Sequence, residues 1–310
     1  MTMLPEAVTG TAAGTDPPLP ARIAGRRKAG TWVTGVVAAL LVALALVSAF
    51  TNRNFSWPVF AHYLFSPAIL AGLARTAEIA LIAMALSIAA GIVLAMMKQS
   101  ANRVLNAAAG AYIWVFRATP LLVLLLLLYN LAALYPKISL GVPFGPDLFS
   151  VDTNTVVTVA GAAIIGLTLH EAAYCAEIFR AGLISVDRGQ QEAAEALGMP
   201  SGLTLRRIVL PQAMRAIVPP LTNQFVNVVK TTSIVSVISM PELLYSAQII
   251  YARTYETIPL LMVVTFWYLV VTALLTVAQR RIERYFNRGR AVLSDGASRK
   301  LSRLALEAGR

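Results

Sequence analysis

Along this chain, unbroken apolar runs of about twenty residues alternate with short polar stretches. The clearest runs are Thr31 to Phe50, Leu73 to Met97, Ala118 to Tyr135 and Ile258 to Ala278. A helix rises about 1.5 Å per residue, so about 20 such residues cross the roughly 30 Å hydrocarbon core of a bilayer. Two further runs are less pure. Val156 to Ile178 carries His170, Glu171 and Glu177, and Ala216 to Met240 carries Lys230 with Pro219 and Pro220, which are expected to kink it. A membrane β-barrel would instead show short segments of alternating polarity. The pattern therefore predicts an all-α membrane protein with about six transmembrane helices.

The stretches between the runs define the organisation. Residues 1–30 are rich in Pro, Gly, Ala and Thr and read as a disordered basic tail. Residues 31–50 form a first transmembrane anchor. It is retained rather than cleaved after the small residues Val47, Ser48 and Ala49, because the apolar run is too long for a signal peptide and polar residues precede it. Asn52 to Pro67 reads as a short outer loop, with Trp57, Tyr63 and Phe65 at interface depth. Pro136, Gly141, Pro143, Gly145 and Pro146 mark Pro136 to Thr155 as a second, turn-rich outer loop. Residues 72–283 make the core, including a polar loop at 180–215, and 284–310 form a basic tail.

Composition agrees, with 57% hydrophobic residues, 13% charged and a mean hydropathy of +0.69. A net charge of +11 raises the question of nucleic acid, but the distribution of the basic residues answers it. Six spans leave Arg53, Lys137 and Arg253 outside and Arg75 and Lys230 within spans. Every other Lys and Arg, including Lys98, Arg103 and Arg117, falls inside. The positive-inside rule then puts both termini in the cytoplasm and makes lipid, not nucleic acid, the partner of this charge. Glu78 lies near the outer end of its run, where Arg75 or water satisfies it. Cys175 is the sole cysteine, forms no internal disulfide and reads as a packing residue.

The 180–215 loop is the longest polar stretch between runs. Asp187 with Gln190 three residues later resembles a helix N-cap, and the helix QQEAAEAL stops at Gly198 with Pro200 beyond. Leu203, Leu205, Ile208, Val209 and Leu210 stripe a second short helix that Pro211 is expected to end. Neither piece spans a bilayer, and isolated helices so short are marginal in water. The pair is stable only when packed, either as a knob docked in a cytoplasmic partner, where Ala193, Ala194 and Ala196 permit close approach, or as a tile on its own chain.

The spacing Glu192-Ala193-Ala194, three residues, Gly198, nine residues, Ile208, one residue, Leu210-Pro211 resembles the EAA signature of permease subunits of ATP-binding-cassette importers. FRATPLL at Phe116 to Leu122, EAAYCAEIFRAGLISVDRGQQEAAEALGM at Glu171 to Met199, RRIVLPQAMRAIVPPLTNQ at Arg206 to Gln224 and KTTSIVSVISMPELL at Lys230 to Leu244 extend the resemblance over most of Gly72 to Glu283. They narrow it to the polar amino-acid branch, the permeases of histidine, glutamine, arginine and opine type. Ala118 stands where that pattern has Gly, and His170 where it often has Asn, which bears on substrate preference. The resemblance implies a type I importer in a bacterial inner membrane. Its partners would be a cytoplasmic ATPase dimer, a second permease subunit of the same or a homologous chain, and an extracytoplasmic amino-acid-binding protein. It also implies that Glu192, Ala193, Ala194, Gly198, Ile208, Leu210 and Pro211 couple the chain to the ATPase. No GxxxxGK[ST] loop is present, since Gly161 to Thr168 lacks the lysine, so ATP and Mg are expected on the partner and no cofactor on this chain.

Ionisable groups within a span are costly unless paired or hydrated, so they are functional candidates. His170, Glu171, Tyr174 and Glu177 recur at helical spacing on roughly one face. Lys230 and Thr232 are the expected counterpart on the next polar span, together offering an amino-acid zwitterion acceptors and donors. A competing expectation has Lys230 pairing with Glu171 or Glu177 to hold two helices together. No catalytic nucleophile and no metal-ligand cluster accompanies His170, which argues against an intramembrane enzyme. An ion-coupled secondary carrier is the alternative transport class. It leaves the EAA-like hairpin unexplained and predicts an inverted repeat that is not seen.

Overall fold

A computed structural model describes the backbone of residues 29–141 and 147–307, and side chains for 32–45, 47–139 and 150–286. The expected N-terminal tail lies outside the described residues, apart from residues 29 and 30, which open the first helix. The chain divides into two units, Met1–Arg53 and Asn54–Arg310. In the first, helix α1 (Ala29–Thr51) spans the apolar run at 31–50, and none of its described side chains is buried.

The second unit begins with α2 (Trp57–Leu64), where the sequence suggested a loop. Ser66 caps the next helix, α3 (Pro67–Lys98), accepting from the Ile69 amide. There follow α4 (Arg103–Ala118), α5 (Leu121–Tyr129) and the single turn α6 (Leu131–Leu134). Strands β1 (Lys137–Gly141) and β2 (Asp147–Asp152) then pair antiparallel, Lys137 opposite Asp152 and Ser139 opposite Ser150. After the turn α7 (Thr153–Val156) comes α8 (Val159–Ile184), followed by α9 (Arg188–Ala196) and α10 (Ser201–Thr204). A π-helical turn at Leu205–Val209 leads without a break into α11 (Leu210–Thr231). A 3-10 segment (Thr232–Ile238) precedes α12 (Leu243–Thr254), and α13 (Thr257–Glu307) carries the chain through the expected basic tail as helix.

Among the described residues four helices are long and apolar enough to cross a membrane, or up to six spans if two bent pairs each count as one. The bent pairs correct the sequence reading. The expected run Ala118 to Tyr135 is not one helix, because the chain turns by 100° between α4 and α5. Pro120 is the cause: it lacks an amide donor and disfavours the α conformation of the residue before it, and Thr119 is extended at ψ 126°. The run Ala216 to Met240 likewise leaves α-helical geometry at Thr232 and turns at Ser239, which is left-handed at φ 62°. α11 itself runs through Pro219 and Pro220 unbroken.

The core of this unit is the contact of α3 with α8. Gly91 lies so close to Cys175 that a Cβ there would sit 2.6 Å from the cysteine's own, and the Ser87 hydroxyl donates to the Thr168 carbonyl at 3.3 Å. Small residues at such contacts replace the hydrophobic drive that lipid cannot supply between helices. Beside it, Glu242 caps α12 by accepting from the Leu244 and Tyr245 amides, and also accepts from Tyr268 on α13 and Thr76 on α3. One fully buried carboxylate thus joins three helices. On the same turn of α13, Trp267 donates to the Leu64 carbonyl at 2.8 Å, which holds α2 in place.

Candidate functional site

Two regions hold the residues singled out from sequence. The first is the hairpin α9–α10. Asp187 accepts from the Gly189 amide at 2.7 Å and starts α9. Gly198, at φ 71°, ends it, with the Gly198 amide donating to Glu195 and the Met199 amide to Ala194, as in a left-handed C-terminal closure. The hairpin is anchored on its own chain by Val186, Val209, Ala213 and Ile217, packed with Phe179 and Leu183, while Gly182 lets Ile217 approach α8.

The expected coupling residues divide by exposure. Ala194 is buried against the chain and Ile208 is half-buried, whereas Glu192, Ala193, Gly198, Leu210 and Pro211 are exposed. Pro211 does not end a helix. It stands in the first turn of α11, where its missing amide donor is tolerated. Sequence reasoning passed over Leu197, which is 81% exposed at the C-cap of α9. Its signal was present in EAAEALG: a large apolar residue immediately before the terminating glycine has no turn of helix left to cover it.

The second region is polar and lies between α4, α8 and α11. A cavity of about 480 Å³ is lined by Arg117, Tyr174, Glu177, Pro220, Asn223 and Gln224. Tyr174 stands under the Arg117 guanidinium, 5.4 Å from ring centroid to Cζ, and 5.2 Å from the His170 ring. Glu177 accepts from Arg180 at 2.7 and 3.1 Å. The arrangement offers a cation, amide donors and acceptors and a half-satisfied carboxylate on one surface.

Several expectations change here. Glu171 is only 3% exposed and faces α11, accepting from Gln224 Nε2 at 2.5 Å with His170 Nδ1 at 3.2 Å. It is a helix tie, not a cavity-lining residue. Lys230 pairs with neither Glu171 nor Glu177. It is exposed, among the described residues it makes no ion pair, and it lies six residues beyond Gln224 on α11, about 9 Å of helix. Thr232 is fully buried and donates to the Val229 carbonyl, so it too is removed from the cavity. The cation that does line it is Arg117, which charge counting had placed at the inner membrane surface. It sits abreast of Tyr174, ten residues before the end of α8 and about 15 Å along the helix. Arg75 pairs with Glu78 at 2.6 Å, as expected. Among the described residues no group of three His, Cys, Asp or Glu is placed to hold a metal.

The family described as "Binding-protein-dependent transport system inner membrane component" matches residues 87–288. The chain is 40% identical over 283 residues to the arginine transport system permease protein ArgU of Corynebacterium glutamicum, covering 90% of this chain and 87% of that protein. It is 35% identical over 223 residues to a putative glutamine transport system permease protein GlnP of Rickettsia bellii, covering 71% and 94%. Among solved structures it resembles a chain of an amino acid ABC transporter with histidines, with a TM-score of 0.63, 32% identity, and coverage of 73% of this chain and 97% of that one.

Proposed function

The chain belongs to the binding-protein-dependent transport system inner membrane component family and is the permease subunit of an amino-acid ATP-binding-cassette importer, and from this premise we propose how its two polar regions divide the work. It is a multi-pass membrane protein and not an enzyme. ATP hydrolysis belongs to a partner subunit, and the family works with a separate ATPase and a substrate-binding protein.

The α9–α10 hairpin is the docking element for the ATPase. The observation that carries this reading is a pairing of opposites: one edge of the hairpin, at Ala194 and Val209, is buried on its own chain, while Glu192 and Leu197 point away from it. An exposed leucine gains roughly 1.5–3 kcal/mol when a groove buries it. The unbroken helical path from Ser201 to Thr231 gives docking its mechanical consequence, because a displaced hairpin carries α11 with it. ATP binding draws the two ATPases together, and the permease rocks between inward- and outward-open states as far as the ligands' differential affinities allow. ATP and Mg sit on the ATPases, and this chain binds no nucleotide. The assembly comprises two permease subunits, of this chain or of this chain and a homologue, in a bacterial inner membrane with both termini cytoplasmic.

The amino acid passes the α4–α8–α11 cavity, Arg117 meeting its α-carboxylate and Glu177 its ammonium, with His170 and Tyr174 at the edge. The cargo is a polar amino acid of the kind named for the relatives, arginine or glutamine.

ATP hydrolysis by the importer reconstituted in nanodiscs, with loaded binding protein, tests the docking assignment. Glu192→Lys is expected to lower stimulated hydrolysis at least tenfold, by uncoupling or by dissociation of the ATPase. Unchanged docking and unchanged stimulation would show that the hairpin is only a tile on its own chain.

A further inference from the structure

A second cavity, of about 430 Å³, shares the wall Arg117–Tyr174–Glu177 with the first and is completed by Lys98, Gly110 and Trp114. Its charges do not cancel. The Glu177 carboxylate is engaged by Arg180, whereas among the described residues neither Lys98 nor Arg117 makes an ion pair. Both cations are held in place without being neutralised. Lys98 Nζ donates to Asn106 Oδ1 at 3.1 Å, while Asn106 Nδ2 donates back to the Lys98 carbonyl at 2.6 Å. Arg117 lies on the Tyr174 ring.

The cavity's position narrows the ligand. Lys98 is the last residue of α3, where the apolar run ends and headgroups begin. Gly110 makes room for the Lys98 ammonium, since a Cβ there would lie 2.7 Å from Lys98 Nζ. On the rim Trp114 is 72% exposed, on a helix that also exposes Val104, Leu105 and Val115. A site with two unpaired cations and an exposed tryptophan beside further apolar residues complements an amphiphile whose anionic head joins acyl chains.

We propose that this cavity binds the phosphate of an anionic phospholipid, with Lys98 and Arg117 on the headgroup and Trp114 beside the upper acyl chain. The site shares Arg117 with the proposed cargo path, whereas Lys98, Gly110 and Trp114 belong to it alone, and it is separate from the ATPase-docking hairpin.

Native mass spectrometry of the full-length chain in detergent, titrated with phosphatidylglycerol or with phosphatidylcholine of the same acyl chains, tests it. Phosphatidylglycerol is expected to be retained at clearly lower concentration. Lys98→Gln should cut that preference about fivefold, the worth of one cation near a lipid surface. Gly110→Leu, which keeps both charges in the chain but fills the space where the Lys98 ammonium sits, should abolish it, and Arg280→Gln on the exposed face of α13 should leave it intact. Equal retention of the two lipids by the wild-type chain overturns the proposal, as does a preference that survives both cavity variants. Loss of bound lipid on addition of millimolar inorganic phosphate would mark a site for free oxyanions and overturn the lipid assignment. If the variants fail to accumulate, a photoreactive phosphatidylglycerol on the wild-type chain decides. Labelling between Lys98 and Arg117 supports the site, and labelling confined to Arg280–Arg284 overturns it.

Discussion

The hairpin α9–α10 and the polar cavity beside α8 are both built from residues that stand out in the sequence, yet only the hairpin is assembled from local instructions. Asp187 caps an amide two residues on, and Gly198 closes the helix nine to eleven residues later through bonds to Glu195 and Ala194. Each of these caps lies within about a turn and a half of the groups it satisfies, although the hairpin's seat on Phe179, Leu183 and Ile217 is long-range. In the cavity Gln224 reaches Glu171 from another helix, and Arg117 reaches Tyr174 across 57 residues. Spacing along one helix identifies a shared face, but not which neighbour that face meets.

The difference makes opposite predictions for substitutions in the two regions. The largest effect is expected at the hairpin, from Leu197→Asp, which places a charge where a groove would have to bury it. Binding-protein-stimulated ATP hydrolysis should fall about thirtyfold, the equivalent of losing a buried leucine anchor of about 2 kcal/mol. Co-purification of the ATPase with the permease should fall in parallel. If the variant docks and hydrolyses normally, the partner face lies elsewhere and the hairpin loses its separate status. In the cavity, Arg117→Gln should raise the KM for transport about tenfold, or about 1.4 kcal/mol, with stimulated hydrolysis per docked complex much less affected. A fall in ATPase docking instead would mean that the two regions are not separable.

Much of the architecture is legible in the sequence for the reason that serves the hairpin. Apolar length reports membrane-length helices, and α1, α3, α8 and the start of α13 fall within about six residues of the expected apolar runs. The misses have physical causes. The run Ala118 to Tyr135 is uniformly apolar on both sides of Thr119-Pro120, and hydropathy is blind to a backbone break that one proline imposes. Trp57 to Leu64 looks like loop from sequence because eight residues are too few for periodicity to count, whereas contacts with α13 supply its stability. The β1–β2 pair was hidden by the Pro and Gly between its strands, which signal a turn without announcing what the turn joins. In the cavity, the cost of charge within a span singles out Lys230 from sequence, whereas the bend after α4, which hydropathy does not show, is what brings Arg117 to Tyr174.

A finer test of local control is at Gly198. A Cβ there would meet nothing within 4 Å, so the only obstacle to a side chain is the left-handed backbone at φ 71°. Gly198→Asn, which tolerates that conformation, should preserve stimulated hydrolysis, while Gly198→Val should cost about 1–2 kcal/mol of local stability and reduce hydrolysis about fivefold. Equal loss with Asn and Val would point to a partner surface pressed against the glycine. That outcome would make Gly198 a contact residue as well as a helix terminator.

The smallest effect bears hardest on the comparison. Lys230→Gln removes a cation that spacing assigns to the substrate and that the fold places about 9 Å of helix beyond Gln224, exposed and outside any ion pair among the described residues. Its KM should shift by less than about twofold, since an exposed charge at that distance is largely screened. A tenfold rise, matching Arg117→Gln, would mean that the second permease subunit closes the cavity from the Lys230 side. The pathway would then be a property of the pair, and single-chain geometry would have misled where single-helix spacing had not.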